Sequence, residues 1–346
     1  MKPFEPFAQA AEAAGLNYAD TAAPGLGRRR TGRGFRYMTV DGRAIRESAT
    51  LERVRALVIP PAWKSVWISP DPNGHVQAIG YDDRGRRQYL YHARFRQARE
   101  AAKYEHLLAF ARALPRLRQR VARNMAAPGL GRRKVLATVV NLLETTMVRV
   151  GSETYARANG SFGLTTLRAR HVQVNGAELR FHFKAKSGKT WRLKVRDRRI
   201  AAVVRRCQEL PGQHLFQYVD DDGEHQNISS ADVNAYLKDA SGAAITAKDF
   251  RTWGGTILAA VVLAARGPAS SPSAAKAALA EAIGQVAASL GNTPAICRQC
   301  YIHPGVIDAY QESSLALDIG TAPRNGLRPE EIAVLAFLEC REAGQR

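Results

Sequence analysis

The spacing of hydrophobic residues along the chain changes near residue 91. Before it, short apolar runs between turn residues predict one helix at 50–57 and strands at 35–40, 66–69, 75–81 and 88–91. After it, apolar residues recur at helical spacing over 92–124, where a break is left open, and over 132–150. We therefore expect two domains, at 1–91 and 92–346.

A small antiparallel sheet interrupts the helices of the second domain. Strands are predicted at 171–174, 179–186 and 190–195, and a further hairpin turns at Asp222-Gly223. Helices resume at 230–238, 247–265, 274–290, 294–302 and 329–342. The pattern predicts an α+β fold, with a small β-rich N-terminal domain followed by a mainly α-helical domain that contains a small antiparallel sheet.

The charge of the chain points to its partner. Lysine and arginine number 51 against 31 aspartate and glutamate, which gives a net charge of +20 and favours nucleic acid over a membrane surface. No stretch approaches the roughly 18 apolar residues of a membrane span, and four cysteines are too few for a disulfide scaffold. We expect a cytoplasmic protein at the nucleoid, with the glycine–arginine segment at 24–36 as a flexible arm that contacts phosphates.

The sequence argues against nucleotide and metal chemistry. Gly188-Lys189-Thr190 matches the end of a phosphate-binding loop, but Phe183 stands where that motif requires glycine. The acids at 220–224 are contiguous and do not alternate as calcium ligands do. Cys297 and Cys300 lack a second ligand pair for zinc, and we favour helix packing over a redox pair. We expect no cofactor and no metal.

Four cations and one tyrosine suit phosphodiester chemistry. Arg149, at the end of an apolar helix, and Arg251, which with Lys248 opens another, can hold phosphate oxygens through guanidinium forks. For either arginine alone, a surface ion pair or a contact with the DNA backbone is the more common role. Lys186 lies beside a hairpin turn, where neighbouring lysines would lower its pKa towards that of a proton donor. Tyr301 lies on a short proline-bounded helix, and nearby positive charge would make it a nucleophile.

A helix break is expected just before this tyrosine. Asn292 precedes Tyr301 by nine positions, which on one continuous helix would place them on opposite faces. Gly291 is expected to end one helix, while Thr293 caps the next and Pro294 opens it. The break would bring Asn292 near Tyr301, where its amide could donate to phosphate or cap a helix end.

Taken in chain order, these motifs resemble the type IB DNA topoisomerases, and most closely the compact poxvirus-type enzymes found in bacteria. The resemblance covers nearly the whole chain and rests on Ile59-Pro-Pro-Ala-Trp63, Arg84-Gly-Arg-Arg-Gln88-Tyr-Leu-Tyr91, Arg149-Val-Gly151, Phe183-Lys-Ala-Lys186-Ser-Gly-Lys, Thr246-Ala-Lys248-Asp-Phe-Arg251-Thr and Asn292-Thr-Pro through Tyr301. Order and spacing agree throughout.

The resemblance implies an activity and a role for each candidate. Tyr301 would attack one strand of double-stranded DNA, form a 3′-phosphotyrosyl link and free a 5′-hydroxyl, so that rotation relaxes supercoils before resealing without ATP or metal. Arg149 and Arg251 would bind the phosphate, and Lys186, assisted by Lys248, would donate the proton.

The same resemblance implies the role of the first domain. Gln88, Tyr89 and Tyr91 would touch DNA from this domain, and the two domains of a monomer would close as a clamp around the duplex.

One departure and two alternatives remain. Asn292 stands where the poxvirus and nuclear enzymes place histidine, which predicts a weaker pH dependence near about 6.5. Tyrosine recombinases are the nearest alternative, although they typically carry His-x-x-Arg where this chain reads Lys248-Asp-Phe-Arg251. A DNA-binding protein without enzymatic activity would also fit the charge.

Overall fold

The chain is divided into two units. A computed structural model describes residues 5–344 and separates Met1–Glu105 from His106–Arg346. This division falls inside a long helix, whereas the predicted boundary at 91 lies just before that helix begins. Residues 1–4 and 345–346, at the outer ends of the two predicted domains, lie outside the described residues. The domain limits 1–91 and 92–346 stay a prediction.

A five-stranded antiparallel sheet forms the first unit. Its elements in chain order are α1 (Glu5–Ala13), β1 (Leu26–Thr31), β2 (Gly34–Met38), α2 (Ser48–Ala56), β3 (Lys64–Ile68), β4 (Val76–Tyr81) and β5 (Arg87–Tyr91). The strand order is β2-β1-β3-β4-β5, with antiparallel pairing throughout. Four predicted strands and the helix at 50–57 are confirmed as β2 to β5 and α2.

The core of this unit lies between the sheet and α2. Its buried side chains come from β1, α2, β3, β4 and the loop after α2, namely Leu26, Val54, Ile59, Val66, Ile68 and Ala78. Alternate positions of a strand face opposite sides of a sheet, so each strand contributes only part of its side chains to this cluster. A second cluster of Ala11, Leu16 and Phe95 packs beside α1.

The prediction of a flexible arm at 24–36 is wrong. Most of that segment forms β1 and β2, which pair as an antiparallel hairpin. The Arg28 guanidinium donates to the carbonyl oxygens of Ile59, Pro60 and Trp63 at 2.8–2.9 Å. Because these acceptors lie within the protein, the charged segment folds as part of the sheet.

The sequence also did not predict helix α1.

The second unit is mainly helical and contains two small sheets. Its elements follow α3 (Ala93–Ala126), which contains the division, and are α4 (Arg132–Thr146), α5 (Glu153–Asn159), β6 (Val172–Asn175), β7 (Glu178–Lys184), β8 (Thr190–Arg196), α6 (Arg198–Gln208), β9 (Gln217–Val219), β10 (His225–Asn227), α7 (Ser230–Ser241), α8 (Ala247–Arg266), α9 (Pro272–Leu290), α10 (Pro294–Cys300), α11 (Pro304–Gln311) and α12 (Pro329–Gly344). The sheets are β6-β7-β8 and β9-β10, both antiparallel.

The predicted α+β fold class is confirmed. The predicted meander corresponds to β6, β7 and β8, and α3 is continuous although Pro115 lies inside it. Helices α5, α6 and α11 were not predicted. The apolar stripe of α4 faces the core, since Val135, Leu136, Val139 and Val140 are all buried.

Candidate active site

Five of the predicted side chains line one cavity in the second unit. The cavity has a volume of about 350 Å³, and its lining includes Arg149, Lys186, Lys248, Arg251 and Tyr301. These residues come from the segment after α4, the β7–β8 turn, the first turn of α8 and the end of α10. Residues far apart in sequence therefore meet at one place in the fold.

Arg149 does not close a helix, which corrects the expectation from sequence. Helix α4 ends at Thr146, and Met147 adopts a left-handed conformation with φ 53°. The backbone beyond it is held by the segment at 163–165, since Leu164 N donates to Arg149 O at 3.0 Å. Gly163 permits this approach, because a Cβ there would lie 2.6 Å from Arg149 O. The helical pattern ran on through the turn, so the sequence did not reveal the end of α4.

Arg251 is a buried cation with a fixed orientation. Only 3% of the residue is exposed, and its guanidinium donates to Met147 O and, at 2.8 Å, to Leu290 O. The guanidinium carbon lies 5.1 Å from the centroid of the Tyr301 ring. Burial lowers the pKa of Arg251, the charge of Arg149 lowers it further, and Tyr301 opposes both. Arginine keeps its charge despite such shifts, so a permanent cation lies against the tyrosine.

Asn292 accepts hydrogen bonds from one candidate cation, Arg149, and from Lys189. Its Oδ1 accepts a hydrogen bond from Arg149, and its backbone oxygen accepts one from Lys189 Nζ at 2.9 Å. Its Nδ2 is buried and has no hydrogen-bond partner among residues 5–344. A buried amide donor without a partner is unfavourable unless a ligand accepts from it.

The predicted helix break before Tyr301 is confirmed. Helix α9 ends at Leu290, and Gly291 follows with φ 60°. Thr293 Oγ1 then accepts from Ile296 N, and α10 begins at Pro294. Tyr301 is the first residue after α10, and its N–H donates to Cys297 O at 2.9 Å.

A glycine not identified from the sequence also positions the tyrosine. A Cβ on Gly255 in α8 would lie 2.6 Å from Tyr301 O. The absence of a side chain at this position thus lets α8 pack against the end of α10. A lone glycine inside a helix was the available signal.

The two candidate lysines lie at well-defined turns. Lys186 begins the turn between β7 and β8, which is closed by the 2.8 Å bond from Ala185 N to Lys189 O. Lys248 lies in the first turn of α8, where Thr246 N donates to the Asp249 carboxylate at 2.7 Å.

The residues expected to touch DNA from the first unit lie together on β5. The Tyr89 and Tyr91 rings stack with centroids 5.8 Å apart and planes 9° from parallel, and 41% of Tyr89 is exposed. Gln88 Nε2 donates to Asp82 Oδ2 at 3.0 Å, so this amide is tied to the neighbouring turn. An exposed aromatic face next to basic residues is typical of a nucleic-acid contact.

The two segments that the sequence analysis rejected as nucleotide or metal sites lie in turns between strands. Gly188-Lys189-Thr190 lies at the β7–β8 turn and the start of β8, and the acids at 220–224 form the turn between β9 and β10. None of the four cysteines, which all lie in the described part of the chain, forms a disulfide, and burial raises the pKa of Cys297. Among the side chains that the structure describes, no three of His, Cys, Asp or Glu are grouped so that they could hold a metal ion. None of the helices described over residues 5–344 is long and apolar enough to cross a membrane.

Paired arginines, lysines and a tyrosine around one cavity have the chemistry to bind a phosphodiester, and comparison with known proteins identifies the family. The family model for the catalytic core of eukaryotic DNA topoisomerase I matches residues 92–320. The model for the N-terminal domain of bacterial DNA topoisomerase IB matches residues 34–82.

Individual relatives agree with these models. DNA topoisomerase 1B of Acanthamoeba polyphaga mimivirus is 31% identical over 296 residues, which cover 84% of this chain and 88% of the relative. DNA topoisomerase I of monkeypox virus and DNA topoisomerase 1B of vaccinia virus (strain Copenhagen) are each 25% identical over 248 residues, which cover 70% of this chain and 74% of the relative.

The chain therefore belongs to the type IB DNA topoisomerase family. It follows that the protein is an enzyme that binds DNA and changes its topology. The family predicted from the sequence motifs is confirmed.

Proposed function

We propose that this protein relaxes supercoiled duplex DNA by cutting and resealing one strand at a time through Tyr301, without ATP or a metal ion. The observation that supports this most strongly is the single cavity lined by Arg149, Lys186, Lys248, Arg251 and Tyr301 in a member of this family.

In the cleavage step, the Tyr301 hydroxyl loses its proton to water and its oxygen attacks the scissile phosphorus. A bond forms between the tyrosine oxygen and phosphorus while the bond from phosphorus to O5′ breaks. Lys186 gives a proton to O5′, and Lys248 assists that transfer. The products are a 3′-phosphotyrosyl link and a 5′-hydroxyl end, and resealing is the reverse reaction.

The cations stabilise the charge that develops on phosphorus. Arg149 and Arg251 would hold the non-bridging oxygens, where fixed donors in a partly dry site act more strongly than in water. The buried Nδ2 of Asn292 has no partner among residues 5–344 and is suited to donate to the same phosphate. The 5.1 Å approach of Arg251 to the Tyr301 ring supports a phenolate during attack.

The energetics explain why no nucleotide would be consumed. One phosphodiester is exchanged for another, so the energy of the broken bond is kept in the tyrosine link. Between the two steps, the free 5′ end can rotate, and the torsional strain of the supercoil drives that rotation.

We further propose the arrangement around this reaction. The protein would act as a monomer in the cytoplasm at the nucleoid, with a DNA-binding domain at 1–91 and a catalytic domain at 92–346. Gln88, Tyr89 and Tyr91 would contact the duplex from the first of these.

A relaxation assay tests the proposal. Supercoiled plasmid should be relaxed in the presence of a chelator and without ATP. Tyr301→Phe should abolish relaxation but retain DNA affinity, while Tyr218→Phe in β9 should relax like the original. A requirement for ATP or Mg²⁺, or relaxation that survives Tyr301→Phe, would contradict the proposed reaction.

A further inference from the structure

The exposed face of the three-stranded sheet is strongly basic. Along β7 and β8, exposed side chains alternate with buried or half-buried ones. Seven positions are exposed: His182, Thr190 and the five cations Arg180, Lys184, Arg192, Lys194 and Arg196. The only acid in β6, β7 and β8 is Glu178. Cations therefore outnumber acids by a wide margin on these strands.

The register of β7 and β8 places two like charges, those of Arg180 and Lys194, opposite each other. Arg180 pairs with Lys194 across the two strands, and His182 pairs with Arg192. Like charges at directly opposite positions destabilise a sheet, because their Cβ atoms are only about 5 Å apart. Glu178 lies opposite Arg196 across the strands and forms an ion pair with Arg180 on its own strand. The contact with Arg180 lowers the pKa of Glu178. A single carboxylate cannot compensate the remaining cations, so an external polyanion would stabilise them.

The same face is concave. A cavity of about 520 Å³ is lined by Arg180, His182, Arg192 and Lys194, together with Arg170 from the turn before β6. We call these five residues the basic face. A groove with cations along its walls suits the sugar–phosphate backbone of a nucleic acid.

The basic face lies at a definite distance from the candidate active site. Lys186 begins the turn that directly follows β7. At about 3.3 Å per residue along a strand, His182 and Arg180 lie roughly 13 and 20 Å from it. For a duplex that runs along β7, at about 3.4 Å per base pair, these distances correspond to about four to six base pairs.

We propose that the basic face binds the phosphate backbone of the duplex that flanks the cleaved bond, about four to six base pairs away from it. This inference rests on the proposed function, because the distance is counted from Lys186. The face would lengthen the DNA footprint on one side of the cleavage site without taking part in the chemistry.

The test uses Arg192→Ala/Lys194→Ala in the full chain. The matched control, Arg133→Ala/Lys276→Ala, removes one arginine and one lysine from exposed positions on α4 and α9. Binding and single-turnover cleavage are measured on duplexes that share one mapped cleavage site and carry flanks of increasing length on either side.

The original protein and the control should gain affinity when one flank grows past about four base pairs. Arg192→Ala/Lys194→Ala should lose that gain, and on long duplexes the slope of log K against log salt should become less steep by about 2. Cleavage of the shortest duplex should be equal in all three proteins, which also shows that the variant folds.

Two results would overturn the proposal. One is an equal gain with flank length in the variant and the original protein. The other is a variant that keeps the gain in affinity with flank length but has lost binding of a second, separate duplex. That result would show that the basic face binds a different DNA molecule. If the original protein fails to cleave even the shortest duplex, the proposed function fails instead.

Discussion

Arg251 combines burial, charge and a fixed direction in one side chain. Its two hydrogen bonds end on carbonyls at the ends of α4 and α9, so the guanidinium joins two elements as well as lying against Tyr301. Removing a cation from water is unfavourable without such partners. The carbonyls of Met147 and Leu290 therefore hold the arginine in place before any DNA arrives.

Arg251→Lys keeps the charge but loses the planar fork. A single ammonium cannot reach both carbonyls and also lie flat on the tyrosine. We expect the single-turnover cleavage rate to fall by about 10²- to 10³-fold and the free energy of unfolding to fall by roughly 1–3 kcal/mol. Urea unfolding and cleavage measure the two effects, with exposed Arg133→Lys as the control. A cleavage rate within twofold of the original would show that the fork is not needed.

Asn292 offers a test based on pH. Its amide does not titrate, whereas Asn292→His introduces a group with an ordinary pKa of about 6.5. Because the substituted ring would face Arg149, its charged form should be disfavoured. We expect the cleavage rate of the variant to change with pH below about 6.5, where the original protein is flat. Parallel pH profiles of the two proteins would refute this expectation.

At the scale of elements, the break between α9 and α10 depends on one glycine. Gly291 has φ 60°, and a Cβ there would lie 2.7 Å from the Trp191 ring. The turn that carries Asn292 is thus built against β8. Any side chain at this position must displace the tryptophan or the turn.

Gly291→Ala should therefore destabilise the fold more than backbone strain alone explains. Gly176 has nearly the same conformation, with φ 58°, but a Cβ there meets nothing within 4 Å. We expect Gly176→Ala to lower the free energy of unfolding by about 1 kcal/mol, from the left-handed backbone only. Gly291→Ala should lower it by roughly 2–4 kcal/mol and slow cleavage. Equal losses in the two variants would show that the contact with Trp191 does not matter.

Local sequence predicted some elements well and others not at all. The octapeptide Ala-Ala-Pro-Gly-Leu-Gly-Arg-Arg occurs at 22–29 and at 126–133. The first copy runs into β1, while the second joins α3 to α4. The leucine of each copy, Leu26 in the first and Leu130 in the second, is buried. The same eight residues thus lead into a strand in one place and into a helix in the other, so their conformation depends on contacts outside the octapeptide, which no local rule can supply.

The candidate site also has features that the sequence predicted and features that it did not. Motif order predicted six site residues, of which five line the cavity and Asn292 lines a separate one. Glycine and proline marked the break before Tyr301. The position of Arg149 could not be predicted, because the end of α4 depends on Met147 adopting a left-handed backbone and on Arg251 binding its carbonyl. Gly255 and Lys189 were missed because their roles arise only from contacts across the fold.

At the scale of the whole molecule, a buried ion network ties the C-terminal helix to the rest of the second unit. Glu331 in α12 is fully buried and accepts from Arg118 at 2.7 Å and from Arg328 at 2.7 Å. Arg118 also donates to Glu144 in α4. Burial raises the pKa of Glu331, but the hydrogen bonds from Arg118 and Arg328 outweigh it and lower this pKa to about 2.

This depressed pKa gives a signed prediction for Glu331→Gln. The ionised form stabilises the fold above the ordinary pKa of about 4.5, and this contribution is lost as pH falls towards about 2. We expect the variant to be less stable by about 3 kcal/mol at pH 7, with the difference shrinking between about pH 4.5 and 2. Urea unfolding at several pH values measures it.

The matched control is Glu339→Gln, whose partner Arg112 is largely exposed. It should change the free energy of unfolding by under about 1 kcal/mol. A Glu331→Gln deficit that stays constant down to pH 2.5 would rule out the ionised carboxylate as its source.

The central claim is that Tyr301 becomes joined to DNA, and trapping that intermediate tests it most directly. The protein is mixed with duplex DNA, denatured rapidly and digested, and the peptide that carries nucleotide is identified by mass spectrometry. We predict a single adduct on Tyr301, linked to a 3′-phosphate, with a free 5′-hydroxyl on the other end of the break. An adduct on another residue, a link to a 5′-phosphate, or relaxation with no trapped adduct would contradict the account.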